Sequence, residues 1–361
     1  MKKRWLPTLA LLFAAAACTE QKAPPPAIDA GTKAEEPKKV ENPFKDWVPR
    51  EIGRHQGGVT YVGVAPDGKT VVSCGRDKTV RLWSAEGQAL HTLSGHSDEV
   101  AMAAFSPDGK MLASVSKDQS AILWEVASGK RLRVIKDKPP REKDMSEEQL
   151  KIYAATPPPL MNWAVFSLDG ARLVTAGDDF ALKIWEVKSG KKLSVIQDTG
   201  CRQRSVYRRL DAPGWISASA CMDDGVTYLK FWDENGNLIG QEGDAEHDAH
   251  YLAFDPLGRW LVAGDGSLVL TVFSTQGSRL QRVLAGGYHF CLVFGRRGQN
   301  LAVGGDAGRI DVYEPQVWKR RGTISTGRAA AIDSLAVNPA DGSLWAASRD
   351  GALLRFEREL E

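Results

Sequence analysis

Residues 75–83 decide the fold: Gly75-Arg76-Asp77-Lys78-Thr79-Val80-Arg81-Leu82-Trp83. A turn of Gly and Asp opens into a run that alternates apolar and polar residues and closes on an aromatic ring. That is the pattern of a half-buried strand entered from a tight turn. Thr70-Val71-Val72-Ser73, just upstream, is another short run of strand-forming, largely β-branched residues. Helical periodicity is nearly absent elsewhere in the chain.

The aromatic closure recurs. Trp83, Trp124, Trp185, Trp232, Phe273, Tyr313 and Phe356 end similar runs, at intervals of 41, 61, 47, 41, 40 and 43 residues. A period near 40–45 residues with about four short strands per unit is the signature of a propeller blade. Seven such units fit, so the expected fold is all-β, a seven-bladed β-propeller.

The first unit carries His55, Ser73, Asp77 and Trp83, and the second carries His96, Ser114, Asp118 and Trp124 at identical internal spacing. With the Ser106-Pro107-Asp108-Gly109 turn inside the second unit, these sets resemble the WD-repeat family. The resemblance implies that the eight residues form a hydrogen-bonded structural brace in each blade. It weakens along the chain. The third unit keeps Thr175, Asp179 and Trp185 but has Pro157 in the histidine's place, and the last three units replace tryptophan by Phe273, Tyr313 and Phe356.

The final unit has only five residues after Phe356, too few for a fourth strand. Val48–Gly53 precedes His55 at the spacing by which Ala89–Ser94 precedes His96, so this N-terminal strand is expected to close the ring. Pro49 lacks a backbone donor, which an outermost strand tolerates.

Lys2, Lys3 and Arg4 followed by an apolar run from Trp5 to Ala17 read as an export signal, too short for a permanent membrane span. Ala15-Ala16-Ala17-Cys18 resembles the lipobox of bacterial lipoproteins, although that family usually has leucine at the position of Ala15. The resemblance implies removal of residues 1–17, lipidation of Cys18 and, with Thr19 rather than aspartate next, the outer membrane. Simple cleavage to a soluble periplasmic or secreted protein is the alternative. Residues 18–43, rich in Pro, Ala, Lys and Glu, read as a disordered tether, and 44–361 as the propeller. Removing residues 1–17 takes away three positive charges and no negative ones, which moves the formal charge from +2 to −1 and leaves no electrostatic case for nucleic acid.

Evidence for catalysis is thin. There is no Gly-x-Ser-x-Gly elbow or His-Glu-x-x-His helix. Aspartates such as those in Asp108-Gly109 and Asp341-Gly342 belong to turns. His247 and His250, beside Glu246 and Asp248, have metal-ligand chemistry, but a spacing of three on a strand places them on opposite faces. Arg202, Arg204, Arg208 and Arg209 could meet an anion near the channel, although a solvated face explains them equally. No catalytic residue, metal or cofactor is expected. Cys74, Cys201, Cys221 and Cys291 are even in number; Cys201 and Cys221 each lie ten residues from Asp211 and are the candidate disulfide, facing across a hairpin.

A charged, Pro-rich insertion, residues 138–160, precedes the third unit, and Ser146–Lys151 within it could start a short helix. It joins the outer strand of one blade to the inner strand of the next, on the face bearing the turns at Asp77, Asp118 and Asp179. Arg76, Lys78, Lys117, Gln119 and Phe180 are expected to be exposed there. The expected function is a membrane-anchored, non-enzymatic scaffold with a monomeric propeller body that binds a protein or peptide partner on that face. The alternatives are a propeller hydrolase or quinone-dependent dehydrogenase, which would gather polar groups in the channel, and an outer-membrane assembly factor.

Overall fold

The computed structural model describes residues 42–136, 160–197, 201–208, 214–221, 227–244, 251–264, 268–275 and 278–360. Within them lie 28 strands and no helix. The first strand, β1 (Arg50–Arg54), stands apart from the sheets that follow it in sequence. Blade 1 is β2 (Val59–Val64), β3 (Thr70–Gly75), β4 (Thr79–Ser84) and β5 (Ala89–Ser94). Blade 2 is β6 (Val100–Phe105), β7 (Met111–Ser116), β8 (Ser120–Glu125) and β9 (Arg131–Lys136). Blade 3 is β10 (Met161–Phe166), β11 (Arg172–Gly177), β12 (Ala181–Glu186) and β13 (Lys192–Gln197). Blade 4 is β14 (Cys201–Arg208), β15 (Trp215–Cys221), β16 (Thr227–Trp232) and β17 (Leu238–Asp244). Blade 5 is β18 (Tyr251–Phe254), β19 (Leu261–Gly264), β20 (Val269–Phe273) and β21 (Arg279–Leu284). Blade 6 is β22 (His289–Phe294), β23 (Leu301–Gly305), β24 (Arg309–Glu314) and β25 (Lys319–Ser325). Blade 7 takes β26 (Ile332–Val337), β27 (Ser343–Ser348) and β28 (Ala352–Glu359), and its fourth strand is β1.

Each sheet is antiparallel and joined by tight turns built from local chemistry. In the turn after β6, Ser106 Oγ donates to Asp108 Oδ1 at 2.6 Å, the same carboxylate oxygen accepts Lys110 N–H at 3.1 Å, and Gly109 takes φ 71°. The apolar faces pack between neighbouring sheets, so the core is divided among the blade interfaces. Val72, Leu82, Leu112 and Trp124 join blades 1 and 2, Met102, Phe166 and Trp185 join blades 2 and 3, and Trp83, Trp345 and Leu353 join blades 7 and 1.

Ring closure matches the sequence reading with one shift. Arg50 opposes Arg355, Glu51 opposes Leu354 and Arg54 opposes Ala352. The strand starts at Arg50 rather than Val48, because Pro49 has no N–H to give the ladder and Val48 lies 78% exposed before it. Upstream residues also join the body. Phe44 meets Trp47 edge-on at 5.4 Å, Trp47 lies 6.3 Å from Phe356, and Asn42 Nδ2 donates to Thr323 O at 2.7 Å. Gly53 is obligatory in this strand, since a Cβ there would fall 2.2 Å from the Trp83 ring.

The divergent blades hold their aromatics differently. Trp185 Nε1 donates to Thr175 Oγ1 at 3.0 Å and Trp232 Nε1 to Ser217 Oγ at 2.9 Å, keeping half of the brace. Tyr313 Oη instead accepts Gly286 N–H at 3.0 Å, while Phe273 and Phe356 are buried with nothing polar to satisfy. Pro157, the helix-forming stretch 146–151, His247 and His250 fall outside the described residues.

Candidate functional site

The brace residues form complete chains in the first two blades. His55 Nδ1 lies 2.9 Å from Asp77 Oδ1, His55 Nε2 lies 2.8 Å from Ser73 Oγ, and Trp83 Nε1 donates to the same Oγ at 2.9 Å. A carboxylate only accepts, so Nδ1 carries the proton and Nε2 accepts from Ser73. The second blade repeats this: His96–Asp118 at 2.9 Å, His96–Ser114 at 2.8 Å and Trp124–Ser114 at 2.8 Å. Burial holds the His55 ring below its ordinary pKa, against the raising effect of Asp77. Burial alone would raise the Asp77 and Asp118 carboxyls; hydrogen bonds led by those from the histidines outweigh it and hold both below the usual range.

Serine, histidine and aspartate in this order are also the parts of a hydrolytic triad. Here the arrangement cannot work as one. Ser73 and Ser114 are fully buried, and each oxygen already takes a tryptophan N–H where a substrate would need access.

The residues read as a partner face come together as turns on one side of the blades. Lys78, Gln119 and Phe180 occupy equivalent positions in the turns after β3, β7 and β11, with φ of 67°, 68° and 61°. Arg76, Lys78 and Lys117 are exposed, whereas Gln119 and Phe180 are half-buried rather than exposed as expected, since the amide stem and the ring have carbon to lay against the strand ends. Lys117 Nζ sits 3.1 Å and Arg76 Nε 3.9 Å from the Glu99 carboxylate, and Lys78 Nζ donates to Ser97 O at 2.9 Å. Such exposed pairs contribute about 0–1 kcal/mol and give way to a partner easily. The insertion lies outside the described residues except for its last, Leu160, whose carbonyl accepts Asp178 N–H at 3.3 Å beside the Phe180 turn.

A second feature was not read from the sequence. The inner strands of all seven blades surround a cavity of about 480 Å³, and Arg76 and Glu99 line its mouth. Six of these strands carry a register shift at the same place: Val59/Tyr61, Val100/Met102, Met161/Trp163, Gln203/Ser205, His289/Cys291 and Ile332/Ser334. A bulge lets two successive residues turn the same way. Thr60 with Tyr61, Asn162 with Trp163, and Asp333 with Ser334 all reach the cavity.

Its wall is aromatic. Tyr61 meets Trp163 at 6.1 Å and 85°, passing in front of blade 2, where Ala101 leaves room. The row continues from Trp163 to Tyr207 at 5.2 Å and on to Phe254 at 5.7 Å. Around it Arg349 grips Asp333, Nη2 to Oδ1 2.6 Å and Nε to Oδ1 3.1 Å, and Asn162 Nδ2 donates to Asp178 at 3.0 Å. Polar groups thus converge in the channel, as the enzyme alternative required, but they are bonded to one another. Cys291, also in the lining, is no nucleophile: burial pushes its thiol well up and Sγ–H points to Ile332 O at 3.4 Å.

Of the remaining candidates, the side chains of Arg202, Arg204 and Arg209 fall outside the described residues, and Arg208 is half-buried. Cys201 stands directly opposite Cys221 in the β14–β15 register, while the Cys74 and Cys291 thiols are buried and unbridged.

The family described as "WD domain, G-beta repeat" matches residues 48–84 and 87–125. Each match spans the outer strand of one sheet and three strands of the next, so every repeat fastens two blades together. The chain is similar to pre-mRNA-processing factor 19 homolog 2 of Arabidopsis thaliana, with 28% identity over 69% of this chain and 45% of that protein. It is also similar to nuclear distribution protein nudF of Aspergillus niger, with 27% identity over 63% of this chain and 52% of that one. The chain spans about half the length of these curated relatives. With seven four-stranded sheets about one channel and a complete brace in both matched units, the chain is an all-β, seven-bladed propeller in which residues 48–84 and 87–125 match the WD repeat.

Proposed function

We propose that the chain is a non-enzymatic scaffold that binds a protein or peptide partner on the face bearing Arg76, Lys78, Lys117, Gln119 and Phe180, with the 138–160 insertion as a docking arm. WD-repeat propellers generally fit such a role, and the observation that carries this reading is the row of left-handed turn residues on three consecutive blades. A non-glycine residue in that conformation costs on the order of 1 kcal/mol, which glycine would avoid. A cation, an amide and an aromatic ring held there offer a partner a mixed surface of rigid origin. The test compares crosslinked purifications of the full chain, a chain lacking residues 138–160, and a Lys78→Glu/Lys117→Glu double variant. A partner retained by the first and lost from the other two supports the face; equal recovery from all three overturns it.

In this reading the scaffold is an exported lipoprotein anchored through Cys18 to a bacterial outer membrane. Several acyl chains, at about 0.8 kcal/mol per buried methylene, hold a protein on a bilayer nearly irreversibly. Cys18→Ser should move the protein from the membrane to the soluble fraction; unchanged partitioning would remove the anchor from the proposal.

A Cys201–Cys221 disulfide belongs to the same exported state. Directly opposed residues of an antiparallel pair have Cα atoms roughly 4.5–5.5 Å apart, within the span of a disulfide. Mass spectrometry of the unreduced protein should find a linked peptide pair containing both cysteines, and reduction should cost about 3 kcal/mol of stability. Free alkylation of both thiols in the native exported protein would rule the bridge out.

A further inference from the structure

We propose that the channel mouth is a carbohydrate-binding site that takes a neutral saccharide of one or two rings. The cavity, about 480 Å³, falls in the range of small-ligand sites. Tyr61, Trp163, Tyr207 and Tyr251 line it and are each half-buried, so each residue keeps part of its surface open to the cavity. An aromatic face is electron-rich and attracts weakly positive C–H groups. A pyranose presents such groups on one face and hydroxyls around its edge.

The rim suits those hydroxyls. Two carboxylates, Glu99 and Asp333, face two guanidinium groups, Arg76 and Arg349, with the Asn162 amide near them. The charges balance, and each is paired: Asp333 with Arg349 at 2.6 Å, and Glu99 with Lys117 at 3.1 Å and Arg76 at 3.9 Å. A charged ligand would have to displace one member of a pair and leave the other poorly solvated, which is costly. An apolar peptide side chain would cover the rings but bring the rim charges no new partner. A neutral polyol keeps both pairs and uses the lone pairs and N–H groups that the pairs leave over. The bulge fits this division in two of the aromatic wall strands, where it places a polar residue next to the ring: Thr60 beside Tyr61 and Asn162 beside Trp163. The site shares Arg76 and, through Glu99, Lys117 with the turn face, so its test turns on Trp163 and Asp333, which that face does not use.

The test uses the full-length protein, saturation-transfer NMR and calorimetry, with maltose, cellobiose, lactose and N,N′-diacetylchitobiose as probes and tetramethylammonium chloride as the cationic control. At least one sugar should bind saturably, with Kd on the order of 1 mM or tighter. Trp163→Leu should weaken it roughly tenfold and Trp163→Phe less, because a smaller ring still stacks. Asp333→Asn, at the rim, should weaken it similarly, and because an amide still accepts from Arg349 it should fold and carry the test if Trp163→Leu does not. Failure of all four sugars to bind overturns the proposal. So does saturable binding of tetramethylammonium alone, or sugar binding that both Trp163→Leu and Asp333→Asn leave unchanged. Partner capture by the turn face is scored separately with the Lys78→Glu/Lys117→Glu variant, so either proposal can fail alone.

Discussion

A chain lacking residues 44–54 should not reach a cooperatively folded state. The deletion removes β1, and with it the strand that pairs with β28 and completes blade 7. It also removes Phe44 and Trp47, both buried against the core that holds Leu354 and Phe356. Burying two such rings contributes on the order of 5 kcal/mol, comparable with the net stability of many whole domains. The loss is not local. Gly53 lies against the Trp83 ring, Ile52 packs beside it, and Arg54 O accepts from Arg81 Nη1 at 2.5 Å, so blade 1 is loosened along with blade 7. The edge of β28 would then stand unpaired, open to association with other chains. Circular dichroism and size-exclusion chromatography of the purified variant should show a non-cooperative melt and aggregated material. A chain lacking residues 20–40 should melt as the parent does. A cooperative transition within a few degrees of the parent in the 44–54 deletion would refute closure as the source of stability.

That strand could be read from the sequence because it sits at a fixed distance before a marked residue. The repeat is anchored on His55 and His96, and whatever lies seven to two residues ahead of either must serve the same place in the architecture. Its ends were misplaced: it begins two residues later, at Arg50, past the missing donor of Pro49, and runs one residue further, to Arg54. The same logic recovered Ser73, Ser114 and the two aspartates. Repetition specifies geometry when each copy must satisfy the same buried polar atoms. Where the polar atoms change, the logic weakens: Tyr313 Oη accepting Gly286 N–H, and Asp311 held by Arg309 at 2.8 Å, are a local solution of blade 6.

The channel was illegible for a related reason. Tyr61, Trp163, Tyr207 and Phe254 come from blades 1, 3, 4 and 5, and their contacts depend on a ring that brings distant units together. Period-two alternation says only which side of a sheet a residue takes. The bulge breaks even that rule, sending two successive residues into the cavity. One signal was available. Reading the residue just after the bulge in the six bulged inner strands gives Tyr61, Met102, Trp163, Ser205, Cys291 and Ser334, a far more varied set than the apolar positions that follow it, Val62, Ala103, Ala164, Val206, Leu292 and Leu335. In a repeat protein, a column that refuses to repeat is where function can differ from fold.

Asp118→Ala should be the most damaging single substitution in the brace. The carboxylate is 8% exposed and receives four hydrogen bonds: His96 Nδ1 at 2.9 Å, Ser97 N at 2.9 Å, Ser120 N at 3.0 Å and Ser120 Oγ at 2.6 Å. Removing it orphans a buried imidazole donor and frees the turn, at a cost of about 3 kcal/mol. For a body of this size that is a fall in Tm of roughly 4–5 °C, whereas Asp118→Asn, which can still accept, should lose less. Acid should shrink the difference. Asp118 is held below its usual pKa in the fold, so as pH falls the unfolded chain takes up the proton first, and the stabilisation present at neutral pH drains away towards the folded pKa. The gap between parent and Asp118→Ala should therefore narrow from about pH 5 to about pH 2. His55 adds an earlier step of the same sign. Its folded pKa lies below 6.5, so the parent begins to lose stability as pH falls below that value and the unfolded imidazole charges ahead of the folded one. Denaturant melts of the parent, Asp118→Ala and Asp118→Asn across this range decide the matter. A gap that stays constant down to pH 2 would mean that Asp118 stabilises the blade by packing alone, and that the ordered chain from tryptophan through serine and histidine to carboxylate adds no stability through the carboxylate's charge.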